Sequence, residues 1–374
     1  MHSLPCVKMM VQLFAGSIDE FCRHHGKEGV SRYLRATREG LRLQKAIARE
    51  IWKEDEVGEH LKELGSYYVA GGARDKVELK REFHLLDSNA INMEWCDKER
   101  LQQVPGLSQN YTGGIYFPDD AIIDSSLYAK TLLEYVLQQS NGNVQFWSDS
   151  TLQQYTESEN GVLLELTNGK KIRASQVVMA TGALYQDPNL HGILKPCYSY
   201  LVNVPIPASN PSYCQKDSPN FFTWGYTHDW CFSNGGVRIS GEDHYSAYKP
   251  PKLLERCAHL SQWALQQYGE CNSFDDLQQQ KDDFASFPQQ YGVYGETPDM
   301  APLIGKLNQS SRICYLMGCN AWGQTILSYC ASLVPGILGF CDLTEEQQDI
   351  LKLVTIQRFS QLAGVVGSND ADAP

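Results

Sequence analysis

The sequence predicts a mixed α/β fold in which an incomplete, Rossmann-like parallel sheet is combined with an antiparallel sheet. The first observation is a buried-type strand at Ile313–Met317, followed by a glycine-bracketed loop, Gly318–Gly323, and an apolar helix. The second is an apolar run at Gln176–Ala180, which continues into Thr181-Gly182 and has the length of a buried parallel strand. The third is a set of short, aromatic-rich strands between residues 186 and 290, which is typical of an antiparallel sheet.

Length and composition narrow the class of protein. The chain has 374 residues and a net charge of -12, so it can bury a large core and lacks the basic character of a nucleic-acid-binding protein. No apolar run is long enough to span a bilayer. The 12 cysteines are scattered without a C-x-x-C pair, which predicts reduced thiols, no metal site and a cytoplasmic location. We expect no signal peptide, although a longer N-terminus could carry targeting information.

Hydrophobic periodicity predicts the remaining elements. Apolar residues at helical spacing predict two helices within Leu4–Glu50, separated by a turn at His24–Gly29 and an extended stretch at Ser31–Gly40. We interpret the two histidines of that turn as solvated residues, because neighbouring positions do not face one metal ion. A strand is predicted at Asn143–Trp147, and a meander with a hairpin turn at Asn168-Gly169 follows it. Further elements are predicted at Gly65–Ala70, Ser126–Gln139, Tyr198–Val204, Phe221–Tyr226, Trp230–Phe232, Val237–Gly241 and Lys252–Tyr268.

The loop at Gly318–Gly323 has the chemistry of a binding site for an electron-rich group. The first turn of a helix leaves backbone N–H groups unpaired and carries partial positive charge. A loop that opens directly into such a turn can place an anion or an electron-rich ring against those donors. The alternative is a strand–loop–helix packing unit without a ligand, because glycine-rich turns of this kind are common.

This stretch resembles the last flavin-contacting segment of the D-amino-acid-oxidase-like family of FAD-dependent oxidoreductases, which includes sarcosine, glycine and D-amino acid oxidases. The family pattern is T-x-D-x-x-P-x-I-G, a strand, G-x-x-G-x-G and a helix, and Ala321 replaces its middle glycine. The strand and turn at Gly113–Asp124 also resemble the family, as does the order of helix, strand, meander, strand and A-T-G. The matching residues of the flavin segment are Thr297, Asp299, Pro302, Ile304, Gly305, Gly318 and Gly323.

The resemblance implies FAD as the cofactor. In the wider group of flavoproteins with this order, a backbone position of the first meander strand lies against the adenine, and the A-T-G turn lies near the FAD. Sarcosine-oxidase-like members attach the flavin through a cysteine at the position of Gly292, so we expect FAD to be non-covalent here. The expected cofactor-binding residues are Leu152, Ala180, Thr181, Gly182, Gly318, Cys319, Asn320, Ala321, Trp322, Gly323 and Gln324.

One part of the family pattern is missing from this sequence. A dinucleotide-binding unit starts with a strand, a G-x-G-x-x-G loop and a helix, and no G-x-G-x-x-G occurs in the chain. We therefore expect a shortened gene model or splice form, and whether such a chain binds FAD normally, weakly or not at all stays open. A degenerate relative is the alternative, and a second chain that supplies the unit is a third explanation. Without the missing strand, the apolar faces of Val177–Ala180 and Ile313–Met317 are expected to be exposed.

The resemblance also implies a reaction, the oxidation of a C–N bond by hydride transfer to flavin N5, which gives an imine that hydrolyses. The arginines that hold a substrate carboxylate in glycine-oxidase-like members align with Tyr294 and Ala321, which weakens an amino acid substrate and favours an amine. Arg238 is available on another strand. Tyr294, Trp322 and Tyr226 are the expected catalytic-pocket residues. Four acid–base candidates that more often face solvent or pack at strand ends are His228, Asp229, His244 and Tyr245.

The expected domains are discontinuous. An FAD-binding domain takes residues 112–185 and 297–345, a substrate domain takes residues 30–111 and 186–296, and residues 364–374 form a disordered tail. The leading hypothesis is FAD-dependent oxidation of a small amine or amino acid, and the alternative is a non-catalytic interaction or structural module. A different α/β enzyme is less favoured, because no G-x-S-x-G, P-loop or H-E-x-x-H motif occurs.

Overall fold

The computed structural model forms two compact units, each assembled from three stretches of chain. Unit 1 takes Met1–Val11, Lys53–Tyr128 and Cys197–Val293, and unit 2 takes Gln12–Trp52, Ala129–Pro196 and Tyr294–Pro374. The division into FAD-binding and substrate domains stays a prediction. The structure describes residues 9–10, 17–89, 91–104, 107–183, 185, 187–204, 213–218, 223–226, 237–245, 252–268 and 289–359, with only the backbone for 9–10, 213–218, 223–226, 268 and 289.

The helices and strands alternate along the described chain. The helices are α1 (Ile18–Ile51), α2 (Glu54–His60), α3 (Ala73–Asp87), α4 (Lys98–Leu101), α5 (Ser125–Gln139), α6 (Leu253–Tyr268), α7 (Gly323–Ile337) and α8 (Glu345–Val354), with 3-10 helices at Pro188–Leu190 and Ile356–Phe359. The strands are β1 (Met9–Met10), β2 (Leu61–Lys62), β3 (Ser66–Ala70), β4 (Glu94–Asp97), β5 (Gly113–Phe117), β6 (Ala121–Ile123), β7 (Leu152–Ser158), β8 (Gly161–Leu166), β9 (Lys171–Ala174), β10 (Val177–Met179), β11 (Lys195–Val204), β12 (Tyr213–Ser218), β13 (Thr223–Tyr226), β14 (Val237–Tyr245), β15 (Gln289–Glu296), β16 (Leu303–Gly305) and β17 (Ile313–Met317).

Unit 1 is organised around a broad sheet with the strand order β15-β11-β14-β13-β12-β3-β5-β4. The β12–β3 pair is parallel, whereas β11–β14, β14–β13 and β3–β5 are antiparallel. Helix α6 covers one face, where Cys257, Leu260 and Ala264 pack against Val202 and Ile239. The alternation of side chains along β11 and β14 therefore leaves a second row of residues on the opposite face.

Unit 2 combines a small α/β sheet with a three-stranded meander. Strand β17 is central, parallel to β10 and antiparallel to β16, and β7, β8 and β9 form the predicted meander. The hairpin turn at Asn168-Gly169 is confirmed, with Gly169 at φ 79°. Helices α1 and α7 pack so closely that a Cβ on Gly40 would lie 1.8 Å from the carbonyl oxygen of Thr325.

The N-terminal part of the chain corrects one prediction. The stretch at Ser31–Gly40 is helical rather than extended, because α1 continues to Ile51. Val30, Tyr33, Leu34, Thr37 and Leu41 recur at helical spacing and are all buried. Gly26, at φ 66°, kinks the helix within the predicted turn. The predicted start at Leu4 lies outside the described residues.

Strand pairing corrects a second prediction. Asn143–Trp147 forms no strand and leaves Trp147 56% exposed, because no strand of the described residues pairs with it. Val178 on β10 is 41% exposed, which contradicts a fully buried strand and agrees with the exposure expected for Val177–Ala180, whereas Met179 is 3% exposed. The exposure expected for Ile313–Met317 is also wrong, because this strand is paired on both sides and four of its five residues are buried. The strand predicted at Trp230–Phe232 lies outside the described residues.

Candidate functional site

Two loops leave the same edge of the small sheet in unit 2. In the parallel pair of β10 and β17, Met179 lies opposite Tyr315. The carboxyl ends of parallel strands meet at one edge, so Ala180-Thr181-Gly182 and Gly318–Gly323 both start there. Open α/β sheets bind their ligands at this kind of edge, and the loops are therefore the candidate site.

The turn after β10 carries a buried polar atom that has no hydrogen-bond partner among the described residues. The hydroxyl oxygen of Thr181 is buried and makes no hydrogen bond within the described structure. Gly182 has φ 59°, so the chain reverses direction directly after it. Leu152, at the start of the meander, packs on the same apolar core as Met179. Because buried hydroxyls normally have a partner, Thr181 is suited to contact a bound group.

Three residues of the loop after β17 have backbone angles in the left-handed region, with φ 74° at Gly318, 47° at Asn320 and 68° at Ala321. The Asn320 side chain holds this conformation: its Oδ1 accepts from the backbone N–H of Thr297 at 2.9 Å. Its Nδ2 donates to the carbonyl oxygen of Gly318 at 2.8 Å. Asparagine adopts positive φ with little strain, whereas alanine does so at a cost. The family's middle glycine is thus replaced here by a strained alanine.

Helix α7 starts directly after this loop. Trp322 is the N-cap residue and its side chain makes no capping hydrogen bond, while its backbone N–H donates to the carbonyl oxygen of Asn320 at 2.9 Å. A Cβ on Gly323 would lie 2.2 Å from Cβ of Cys319, so the loop folds back on the helix start only with glycine there. The N–H groups of the first turn therefore receive no side-chain acceptor from the N-cap position and suit an electron-rich group.

An ion pair anchors the turn that holds Asn320. Arg358 donates from Nε to Asp299 Oδ2 at 2.6 Å and from Nη2 to Oδ1 at 3.0 Å. The same guanidinium donates to the carbonyl oxygen of Ala301 at 2.7 Å. Burial disfavours the Asp299 carboxylate, but the Arg358 hydrogen bonds and charge outweigh it and lower the pKa of Asp299. Arg358 therefore holds the turn at Thr297–Ala301 through both the Asp299 side chain and the Ala301 carbonyl oxygen.

His25 belongs to the same cluster, and its interpretation as a solvated residue is wrong. Its Nε2–H donates to the carbonyl oxygen of Asp299 at 2.7 Å, and its side chain is only 11% exposed. Desolvation lowers the pKa of His25 despite this contact, so the neutral ring is favoured. Hydrophobic periodicity carries no signal for such a pair, because the two residues are far apart in sequence. His24 is exposed, as predicted.

Two of the expected pocket residues lie near each other in unit 2. The Tyr294 hydroxyl donates to Glu296 Oε1 at 3.0 Å. The backbone N–H of Asn320 donates to the carbonyl oxygen of Gly295 at 3.1 Å, so the end of β15 adjoins the loop that carries Trp322. The Trp322 side chain is half-buried. Their role in a substrate pocket stays a prediction.

The remaining candidates are placed differently. Tyr226 lies on β13 in unit 1, where only the backbone is described. His228 and Asp229 lie outside the described residues. His244 stacks on two tyrosine rings of its own sheet, and Tyr245 is exposed, which matches the packing and surface roles expected for strand ends.

The site residues fit one end of FAD. The N–H groups at the start of α7, which the Trp322 side chain does not cap, and the Thr181 hydroxyl can meet the electron-rich edge of a flavin ring. The G-x-G-x-x-G loop that commonly holds the phosphate end does not occur in the sequence. Among the described residues, no helix is long and apolar enough to cross a bilayer.

A small α/β sheet with two loops at one edge, in a chain that also carries an antiparallel sheet, is typical of flavin-dependent oxidoreductases. The family described as "FAD dependent oxidoreductase" matches residues 15–334, and this chain belongs to it. The resemblance inferred from the sequence is thereby confirmed.

Known proteins support the same fold. D-amino acid dehydrogenase from Vibrio vulnificus (strain CMCP6) is 24% identical over 266 residues, which are 69% of this chain and 60% of that protein. The chain thus spans about 60% of the length of the curated relatives it matches. Glycine oxidase from Geobacillus kaustophilus superimposes with a TM-score of 0.64 at 16% identity, covering 91% of this chain and 85% of that chain. L-proline dehydrogenase from P. horikoshii superimposes with a TM-score of 0.63 at 13% identity, covering 87% of this chain and 84% of that chain.

Proposed function

We propose that this chain acts in an FAD-dependent oxidoreductase that oxidises a C–N bond of an amine or amino acid. The observation that carries the proposal is the convergence of the Thr181 turn and the uncapped α7 N-terminus on one sheet edge. Membership of the FAD-dependent family supports the cofactor. The similar proteins named above act on D-amino acids, glycine and L-proline by their names, which supports the substrate class.

Each residue then has a defined task. FAD, when bound, would supply the acceptor for a hydride from a C–H bond next to nitrogen, and the resulting iminium ion loses a proton to solvent to give the imine. The N–H groups at the start of α7 stabilise negative charge on the bound ring, and the Thr181 hydroxyl supplies one further hydrogen bond. Asn320 keeps the loop in the left-handed conformation that exposes those donors. Tyr294 and Trp322 form apolar walls that exclude water from the substrate.

A visible absorption spectrum of the purified chain, with and without added FAD, tests this proposal. We expect a bound-flavin band that bleaches when an amine or amino acid is added without oxygen. Thr181→Val keeps the shape of the side chain and removes the hydroxyl, so it should weaken FAD binding about fivefold to tenfold. Thr167→Val, on the exposed hairpin, is the matched control and should bind FAD as the native chain does.

A colourless, folded chain that takes up no FAD would contradict the proposal. That result would favour the alternative, an interaction or structural module. The exposed apolar side chains of Val144, Phe146 and Trp147 are the specific feature that supports the alternative.

A further inference from the structure

Three side chains of unit 2 bring their oxygen atoms together inside an apolar core. The Tyr155 hydroxyl donates to Asp187 Oδ2 at 2.8 Å, and the Tyr315 hydroxyl donates to the same oxygen at 3.1 Å. The two phenol oxygens lie 3.0 Å apart. Asp187 is 4% exposed and Tyr315 is 1% exposed, so the carboxylate is buried together with its donors. These three residues form the tyrosine–aspartate cluster.

Asn189 completes the hydrogen bonds of the tyrosine–aspartate cluster. Its backbone N–H donates to Asp187 Oδ1 at 2.9 Å, and its Nδ2 donates to the Tyr155 hydroxyl at 2.8 Å. Both carboxylate oxygens therefore have partners, as a buried carboxylate requires. Burial raises the pKa of Tyr155 to about 12 and also raises the pKa of Tyr315. Both phenols are therefore protonated at neutral pH and keep their donor hydrogens.

Apolar packing alone does not account for the two hydroxyl groups. The rings of Tyr155 and Tyr315 pack in an apolar core, to which Leu152, Met179 and Met317 also belong. Phenylalanine would fill the same space without burying polar atoms. Hydrogen bonds are directional and favour one arrangement of the chain, whereas apolar contacts permit small displacements. The tyrosine–aspartate cluster therefore fixes the positions of the segments that carry it.

Each residue of the cluster lies close in the chain to a different stretch that is expected to hold the cofactor. The pairs are Tyr155 with Leu152 on β7, Asp187 with the turn at Ala180–Gly182, and Tyr315 on β17 with the loop at Gly318–Gly323. In the parallel pair of strands, Tyr315 also lies opposite Met179, the last residue of β10 before that turn. A displacement of one stretch relative to another therefore strains a hydrogen bond of the cluster.

We propose that the tyrosine–aspartate cluster positions the three expected cofactor-binding stretches relative to one another before the cofactor binds. This inference rests on the proposed function, because it assigns positioning residues to that same site. The three side chains act through the backbone stretches that follow or precede them. Because a preorganised site loses less conformational freedom on binding, removal of a cluster hydroxyl should weaken the binding of FAD.

Amide hydrogen exchange of the ligand-free chain, followed by mass spectrometry, tests the positioning step without FAD. Tyr155→Phe and Tyr315→Phe each remove one hydroxyl and keep the ring. We expect exchange to become about tenfold faster in peptides that cover residues 180–182 and 318–323. Peptides from α1 should exchange as they do in the native chain, because they carry no residue of the cluster.

Titration with FAD, followed by the visible circular dichroism of the bound flavin, tests the consequence for binding. Each single variant should bind FAD about tenfold more weakly than the native chain. The variant that carries both substitutions should lose less affinity than the product of the two single losses, because both hydroxyls donate to one carboxylate oxygen.

Two substitutions in the same unit serve as matched controls. Tyr135→Phe also removes a phenol hydroxyl that donates to a carboxylate, Glu50, but in an exposed hydrogen bond. It should leave loop exchange and FAD affinity unchanged. Ile350→Val removes one methylene from a fully buried side chain on α8. It should lower the melting temperature and leave loop exchange and FAD affinity unchanged.

The proposal is overturned if both cluster variants keep native loop exchange, if exchange rises equally in α1, or if Ile350→Val has the same effects. Its failure is distinct from failure of the proposed function. A native chain that binds and reduces FAD, with unaltered affinity in the cluster variants, would retain the function and remove the positioning role. Selective loosening of both loops in a chain that takes up no FAD would retain the positioning of the stretches and remove the function.

Discussion

Two regions of unit 2, for both of which the sequence predicted regular structure, differ in the structure. The entrance to α7 is held by hydrogen bonds from Asn320 and by the pair of Asp299 and Arg358. The segment Asn143–Trp147 has strand-forming residues but no partner strand, and Val178 on β10 is exposed. A loop and helix start can be completed by nearby side chains, whereas a strand requires backbone partners from another strand.

Removal of the buried ion pair should affect the first region most. Arg358→Met leaves the Asp299 carboxylate buried without its cation, which should lower the free energy of unfolding by about 3–5 kcal/mol. Arg42→Met, at an exposed surface pair, is the control and should cost about 0–1 kcal/mol. Urea unfolding followed by circular dichroism measures both variants. Equal midpoints would show that the ion pair does not anchor the turn.

A methyl group at the crossing of α1 and α7 should have the next largest effect. Gly40→Ala places a Cβ against the carbonyl oxygen of Thr325, and the helices must separate. We expect a loss of about 2–3 kcal/mol. Gly58→Ala, in a helix where nothing lies within 4 Å of the added Cβ, should be neutral or stabilising. A thermal melt that ranks the two variants in the opposite order would contradict the close crossing.

Relief of backbone strain should stabilise the loop before α7. Ala321→Gly removes the Cβ from a residue at φ 68° and should raise the free energy of unfolding by about 1 kcal/mol. Ala331→Gly, at an exposed position inside α7, is the matched control and should lower it by about 1 kcal/mol. Chemical unfolding measures both variants, and the free energy of unfolding should change in opposite directions. A lower free energy of unfolding in both variants would contradict the left-handed backbone angles at Ala321.

Acid should weaken the same region by a smaller amount. The folded pKa of Asp299 lies below its ordinary value of 3.8, so its contribution to stability is complete above that value. This contribution is lost as the pH falls through the lower, folded pKa. Unfolding free energies measured between pH 5 and about pH 2 should therefore fall less steeply in Arg358→Met than in the native chain. Parallel curves would assign the acid sensitivity to other carboxylates.

A substitution at the exposed Val178 on β10 should have the smallest effect on stability. Val178→Thr keeps the branched shape at a position that is 41% exposed, and should change stability by no more than about 0.5 kcal/mol. Met179→Ala, at the adjacent residue that is 3% exposed, should cost about 2–5 kcal/mol. A similar loss in both variants, measured by urea unfolding, would mean that the β10 edge is covered in solution.

Much of the site was predictable from local patterns. The strand at β17, its glycine-bracketed loop and the start of α7 are confirmed, because their signals lie within a few neighbouring residues. The role of Asn320 as a side-chain clamp on Thr297 was not predicted. Neither was the contact of His25 with Asp299, since residues so distant in sequence meet only after the chain folds.

The sequence alone determined the mixed α/β class, the family and the positions of most helices and strands, because hydrophobic period and glycine placement act locally. Only the tertiary structure decided whether an apolar segment became a paired strand. Asn143–Trp147 remained irregular without a partner, while Ile313–Met317 was buried between two strands. Tertiary structure also decided that Tyr155, Asp187 and Tyr315 share one buried cluster, because hydrogen bonds between distant side chains leave no local pattern in the sequence.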